Sequence, residues 1–247
     1  MMNGSISKKS ESTLVFKPPV PGYAGACDHW PREETDVSEP STVARRPTTA
    51  AQRARVGRIL DVAERLVAGG GEDALQMSEL PALADVSLAA LYRYFPSKQH
   101  LLFAVVENQL TAALARTHPH GEAAESVRER TAAHLLRGFQ MDRRAPNLGL
   151  VVRRLSTLAD PAFSAERERL AHLHADIALR AIGPMTESQA EALWVVVTAA
   201  NAAVVHWFAG ILSAEDVRFQ ILLACRLLDL PQDQIAADRQ AARSATP

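Results

Sequence analysis

Ser87, Tyr92, Arg93, Tyr94 and Lys98 fall close together in the chain. A serine hydroxyl, two phenols, a guanidinium and an ammonium form a donor-rich, cationic set. Such a set suits phosphate oxygens, whose contacts fix position along a nucleic-acid backbone. Arg93 is the one long charged donor of its segment, and it can hold a phosphate or read a guanine edge. Leu88 and Ala89 lie beside it. Leu88 suits a thymine methyl or readout of DNA shape, and the small Ala89 and Ala90 permit close backbone approach. Against this stands ordinary packing, since short helices with serine caps and tyrosines also occur inside cores.

To act on DNA, these side chains need a short helix exposed on one side and pinned on the other. The pattern predicts one. Ser78 reads as the N-cap of a helix ending near residue 84, with Pro81 in its first turn, where missing donors matter least. Asp85 and Val86 make a turn. Ser87 caps the next helix, which reaches about residue 94. Val86, Leu91 and Phe95 face inward, leaving Ser87, Leu88, Ala89, Tyr92, Arg93 and Tyr94 for a ligand. Pro96 breaks the chain and Ser97 caps a long helix to about residue 116, whose first amides add an anion site beside Lys98. This is the layout of a helix-turn-helix, which lays its second helix in the major groove.

Upstream, residues 41–60 carry Arg45, Arg46, Arg53, Arg55 and Arg58 and no acid. The run means little alone, but it directly precedes the helix pair. Arg53, Arg55 and Ser78 therefore join the candidate DNA-binding set. Val56, Ile59, Leu60, Ala63, Leu66 and Val67 recur at helical spacing and predict a first helix over residues 49–68. Gly69, Gly70 and Gly71 end it.

The 247 residues carry a net charge of −1, so the chain as a whole is no polycation and charge location decides. Apolar residues make up 47% and aromatics only 5%, mostly Ala, Leu and Val, which favours helices over sheets. The expected class is all-α, about nine helices. Residues 1–47 hold six of the 14 prolines and no periodic pattern, and read as a disordered extension, although Phe16, Tyr23 and Trp30 are able to dock on the body. Residues 48–96 form the helix-turn-helix domain, 97–230 a ligand-binding and dimerisation domain, and 231–247 a flexible tail. Cys27 and Cys225 make no disulfide framework, and no apolar leader is seen, which together fit the cytoplasm.

The segment LYRYFPSKQHLL, preceded by Ser87 and Ala90, resembles the recognition segment of the TetR family of bacterial regulators. Followed by APNLGLVVRRL, it is most similar to the family's KstR-like branch, regulators of steroid and lipid breakdown. The resemblance covers residues 49–230. It implies DNA contacts by Ser87, Tyr92, Tyr94 and Lys98, an arginine arm in the adjacent groove, a homodimer and a ligand pocket coupled to head spacing. Pro81 and Ala89 depart from the usual pattern, Ala89 standing where glycine is common.

In the second half, residues 187–212 are the most apolar helix, interrupted by Thr198, Asn201 and His206. Its length approaches a membrane span, but the polar residues, the alanine content and the lack of basic flanks point to a buried helix and no membrane. Leu193, Val197, Val204, Trp207 and Ile211, with Val217, Ile221, Ala224 and Leu228 of the next helix, form stripes suited to a four-helix dimer interface. Two heads then meet successive half-sites of a palindrome, about 34–36 Å apart. Phe139, Leu150, Leu155, Leu158, Phe163, Leu170, Trp194, Thr198 and Asn201 are candidate pocket residues for a small apolar ligand, such as a lipid, steroid or acyl-CoA, though each also reads as ordinary core. Arg153 and Arg154 suit an acidic ligand group, or solvated surface.

His172 and His174 are two apart on a helix and face different ways, and His118 and His120 lack partners. No phosphate loop or clustered acid–base set is evident. The expectation is a non-enzyme with no cofactor and no metal: a homodimeric DNA-binding repressor released by ligand, or alternatively a regulator controlled by a partner protein.

Overall fold

The computed structural model describes residues 47–118 and 126–244. Phe16, Tyr23, Cys27, Trp30, Arg45, Arg46 and His120 lie outside them. The architecture is all-α, with ten α-helices and no strand among the described residues. They are α1 (Ala50–Gly70), α2 (Leu80–Ala84), α3 (Leu88–Tyr94), α4 (Lys98–Arg116), α5 (Val127–Arg144), α6 (Pro146–Ser156), α7 (Ser164–Ile182), α8 (Glu187–Phe208), α9 (Ala214–Ala224) and α10 (Gln232–Ser244). The tenth is a departure from expectation: the polar segment after Pro231 forms a helix, with Ile235 packed against the body.

Local chemistry sets the boundaries. Thr49 and Gln52 form a reciprocal capping box that starts α1. Gly71 ends it at φ 72 and ψ −168, its N–H donating to the Val67 carbonyl at 2.8 Å. Only glycine takes that conformation readily, so Gly71→Ala is expected to lower stability by about 1–2 kcal/mol. Chemical denaturation of the two proteins checks this. Ser87 and Ser97 cap α3 and α4 through their hydroxyls. Ser78 does not cap α2. Glu79 occupies that place and makes no side-chain cap, because one residue too many separates Ser78 from the first helical turn.

Two cores hold the chain together. The first joins α1, α2, α3 and the start of α4 to Leu148, Val151, Leu155, Phe163 and Leu170 of the second half. Seven consecutive residues of α4, from Leu101 to Glu107, are buried, because the head covers one side and α6 and α7 the other. Head and body therefore share one hydrophobic interior, and α4 belongs to both. The second core packs α5, α8, α9 and the turn Cys225–Asp229. By length and composition α8 is able to cross a membrane, yet part of it lies within this core and its exposed side carries Thr198, Asn201 and His206.

Candidate nucleic-acid interface

α3 is a two-turn helix pinned from behind. Leu91 and Tyr94 are buried in the first core, as is Phe95 just beyond, and Ala90 is buried beside them. Ser87, Leu88, Ala89, Tyr92 and Arg93 are exposed, and Tyr92 keeps 45% of its surface. Tyr94 is the exception among the expected contacts. It is 1% exposed, and its hydroxyl is buried without a hydrogen-bond partner among the described residues. It lies three residues from Leu91, on the same helical face, so packing claims its ring and withholds it from solvent. The Arg93 guanidinium sits over that ring, 5.2 Å from its centroid, which steadies the arginine at the surface.

A shallow cleft of about 510 Å³ lies between α2 and α3, with Arg55 of α1 at its side. Arg55 and Arg93 line it together with Asp85, Ser87 and Ala89. The two cations come from helices far apart in sequence and meet on the exposed side of α3. Arg53 is also exposed on α1, and Ser78 is exposed just before α2. Lys98 is half-buried at the first position of α4. Beside it, Ser97 Oγ accepts from the His100 amide at 3.4 Å and lies 2.7 Å from His100 Nδ1.

The dimer and pocket candidates are redistributed. Leu193, Val204, Val217, Ile221 and Leu228 are buried within one subunit, and Val197, Trp207 and Ala224 pack against the same core. The strongest apolar stripe thus closes the chain's own interior, with Val197, Trp207 and Ala224 keeping part of their surface. Of that set only Ile211 is fully outward, 68% exposed. Val195, Val205, Phe219, Leu222 and Leu223 form the exposed apolar faces of α8 and α9 instead. The pocket residues fall into separate environments. Phe139 belongs to the second core, Leu155, Phe163 and Leu170 to the first, with Leu158 packed beside it. Leu150, Trp194, Thr198 and Asn201 are exposed, and the Thr198 hydroxyl donates to the Trp194 carbonyl of its own helix.

A polar cluster that the spacing did not reveal lies among α5, α6, α7 and the end of α8. Arg153 donates to both carboxylate oxygens of Asp142, at 3.0 and 2.8 Å, and its guanidinium lies over Phe208 at 5.2 Å. Gly149 lets α6 approach, since a Cβ there would meet Asp142 Oδ1 at 2.4 Å. Burial holds His134 down to about 4, with the charges of Arg137 and His174 adding to it. Burial also depresses His174, and Arg153 contributes, against the opposing hydrogen bond to the Leu170 carbonyl. The His174 ring, on α7, is partly open to solvent beside this cluster.

An exposed two-turn helix, backed by a shared core and flanked by arginines from a second helix, defines a helix-turn-helix DNA-binding regulator. The sequence model described as "Bacterial regulatory proteins, tetR family" matches residues 59–105. The repressor KstR of Mycobacterium tuberculosis is 31% identical over 185 residues, spanning 74% of this chain and 84% of KstR. KstR of Rhodococcus jostii is 31% identical, spanning 72% and 84%. The crystal structure of a TetR transcriptional regulator from Rhodococcus sp. RHA1 superimposes with a TM-score of 0.61 at 30% identity, covering 72% of this chain and 97% of that one. The chain belongs to the TetR family of bacterial regulatory proteins, in its KstR branch.

Proposed function

We propose that the protein is a homodimeric transcriptional repressor that binds a palindromic operator and is released by a small, largely apolar ligand. The observation that carries this reading is the exposed face of α3 beside the Arg55–Arg93 cleft. Ser87, Leu88, Ala89 and Tyr92 enter the major groove. Arg53, Arg55, Arg93, Lys98 and Ser78 hold the backbone on either side, so phosphate contacts supply most of the affinity. Both KstR relatives are repressors by name, which supports repression as the output.

The dimer forms through the outward faces of α8 and α9, where Val195, Val205, Phe219, Leu222 and Leu223 otherwise leave apolar surface in water. The ligand binds beside the polar cluster of His134, His174 and Arg153, where the two imidazoles and the Arg153–Asp142 pair offer hydrogen bonds. The chemistry there suits a lipid, a steroid or an acyl-CoA. It works on chromosomal DNA, hence in the cytoplasm. Release follows from differential affinity of the ligand for the two head spacings.

The test is binding to a duplex from the protein's own promoter. Tyr92→Ala and Lys98→Ala are each expected to weaken specific binding about tenfold or more, by loss of charge-assisted or aromatic-edge contacts of about 1–3 kcal/mol. Unchanged specific binding by both variants would sink the assignment of this surface.

A further inference from the structure

Arg58 stands in the basic run, and by position alone it belongs with Arg53 and Arg55 as a phosphate contact. Its geometry says otherwise. The guanidinium reaches across to the end of α2, where Nε donates to the Ala84 carbonyl at 3.3 Å and one terminal nitrogen to the Asp85 carbonyl at 3.4 Å. Ala84 is the last residue of α2, and Asp85 is the one described non-glycine residue with positive φ, at φ 52 and ψ 55. Left-handed backbone is unfavourable for a residue with a Cβ, and helix-terminal carbonyls need donors. One planar cation answers both needs, and its charge lies favourably at the negative end of α2. Ser87, the cap of α3, follows two residues later.

We propose that Arg58 is a positioning residue for DNA recognition. By holding the α2 end and the left-handed turn, it fixes the angle at which α3 is presented to the groove, without touching DNA itself. The inference rests on α3 being the groove-entering helix. The forked donor geometry matters here, because a lysine ammonium keeps the charge but cannot span two adjacent carbonyls from the same stem in the same way.

Three variants of the full chain separate this role from a phosphate contact: Arg58→Lys, Arg58→Ala and, as the comparator, Arg55→Ala. Each is titrated, over a range of salt concentrations, against a duplex selected from random sequence by the wild-type protein and against a scrambled duplex of equal length. Tyr92→Ala marks the DNA-contact reading independently. Arg58→Lys and Arg58→Ala are both expected to lose about tenfold in affinity for the selected duplex, the equivalent of about 1–2 kcal/mol in hydrogen bonds to a charged donor. Both should bind the scrambled duplex as the wild type does, with the same salt slope. Arg55→Ala should weaken both duplexes and flatten the slope by about one unit, as loss of a phosphate contact does.

A second reading comes from Asp85→Gly, which relieves the left-handed turn. In that background the loss caused by Arg58→Lys should shrink, since coupled residues are not additive. If Arg58→Lys binds the selected duplex like the wild type while Tyr92→Ala fails, the inference is overturned and the DNA-contact reading stands. Equal weakening of both duplexes with a flattened salt slope also overturns it, in favour of a direct phosphate contact. Should Arg58→Ala not fold, Arg58→Lys carries the decision.

Discussion

Phe219→Glu is expected to split the proposed dimer into monomers and to lower operator affinity by about 10²–10⁴-fold, the advantage that linking two binding modules confers. The side chain is 64% exposed on α9 and adds nothing to the subunit's own core, so the helices of each subunit should persist. Its neighbours Leu222 and Leu223 are half exposed, and Val195 and Val205 offer a similar face on α8. A carboxylate buried in an apolar interface must lose its water without gaining a cationic partner. Val217→Glu makes the contrast: Val217 is 0% exposed, so a charge there should unfold the subunit rather than split a dimer. Sedimentation of Phe219→Glu alongside operator titration checks the prediction. A variant that sediments as a dimer and binds like the wild type would remove the α8–α9 face from consideration.

Phe219 and Val217 sit on one helix with opposite exposure, a difference that helical periodicity alone does not carry. Periodicity located α8 and α9 and their most apolar stripe correctly as helices, but the strongest stripe serves the interior first. Leu193, Val204 and Ile221 fill the chain's own core, and the stripe that stays exposed is Val195, Val205 and Phe219. Nothing local in the sequence distinguishes the two, because both are apolar at helical spacing. Caps were legible where the serine directly precedes the helix, as at Ser87 and Ser97, and misleading at Ser78, where Glu79 intervenes. Tyr94 was readable in principle: it shares a face with Leu91, while Tyr92 points the other way.

The long-range features were not readable. Arg58 finds its acceptors 26 and 27 residues away, and a run of arginines before a helix pair suggests only charge for DNA. Arg153 had two candidate fates, a ligand anchor or solvated surface. Its bidentate pairing with Asp142, 11 residues back across the α5–α6 corner, is a third. It depends on Gly149, whose missing Cβ leaves space for the carboxylate. The boundary between head and body is equally invisible in one dimension, since Leu148, Val151 and Leu155 complete a core begun by α1 and α3.

Acidification is expected to cost the protein about 3 kcal/mol through His134 alone, by linkage at about 1.4 kcal/mol per pKa unit. The imidazole is held down to about 4 from an ordinary value of 6.5, first by burial and then by the charges of Arg137 and His174. A histidine with a depressed folded value binds its proton more weakly folded than unfolded. Its stabilising share is therefore complete above about pH 6.5 and declines as the pH falls toward 4, where the loss levels off. His174 is depressed in the same sense, so protonating either ring opposes protonating the other. His134→Gln keeps a polar side chain of similar reach without the titration. Its denaturation midpoint should fall less than that of the wild type between pH 7.5 and 4.5, and an identical fall in both proteins would remove His134 as the cause. The same physics constrains the ligand. At neutral pH the His134 ring is uncharged and Arg153 is paired with Asp142, so a ligand at this cluster would meet hydrogen-bonding groups. A ligand seated there should raise the denaturation midpoint most at neutral pH, and its effect should fade on the same acid limb, because protonated rings cannot accept the bonds that hold it.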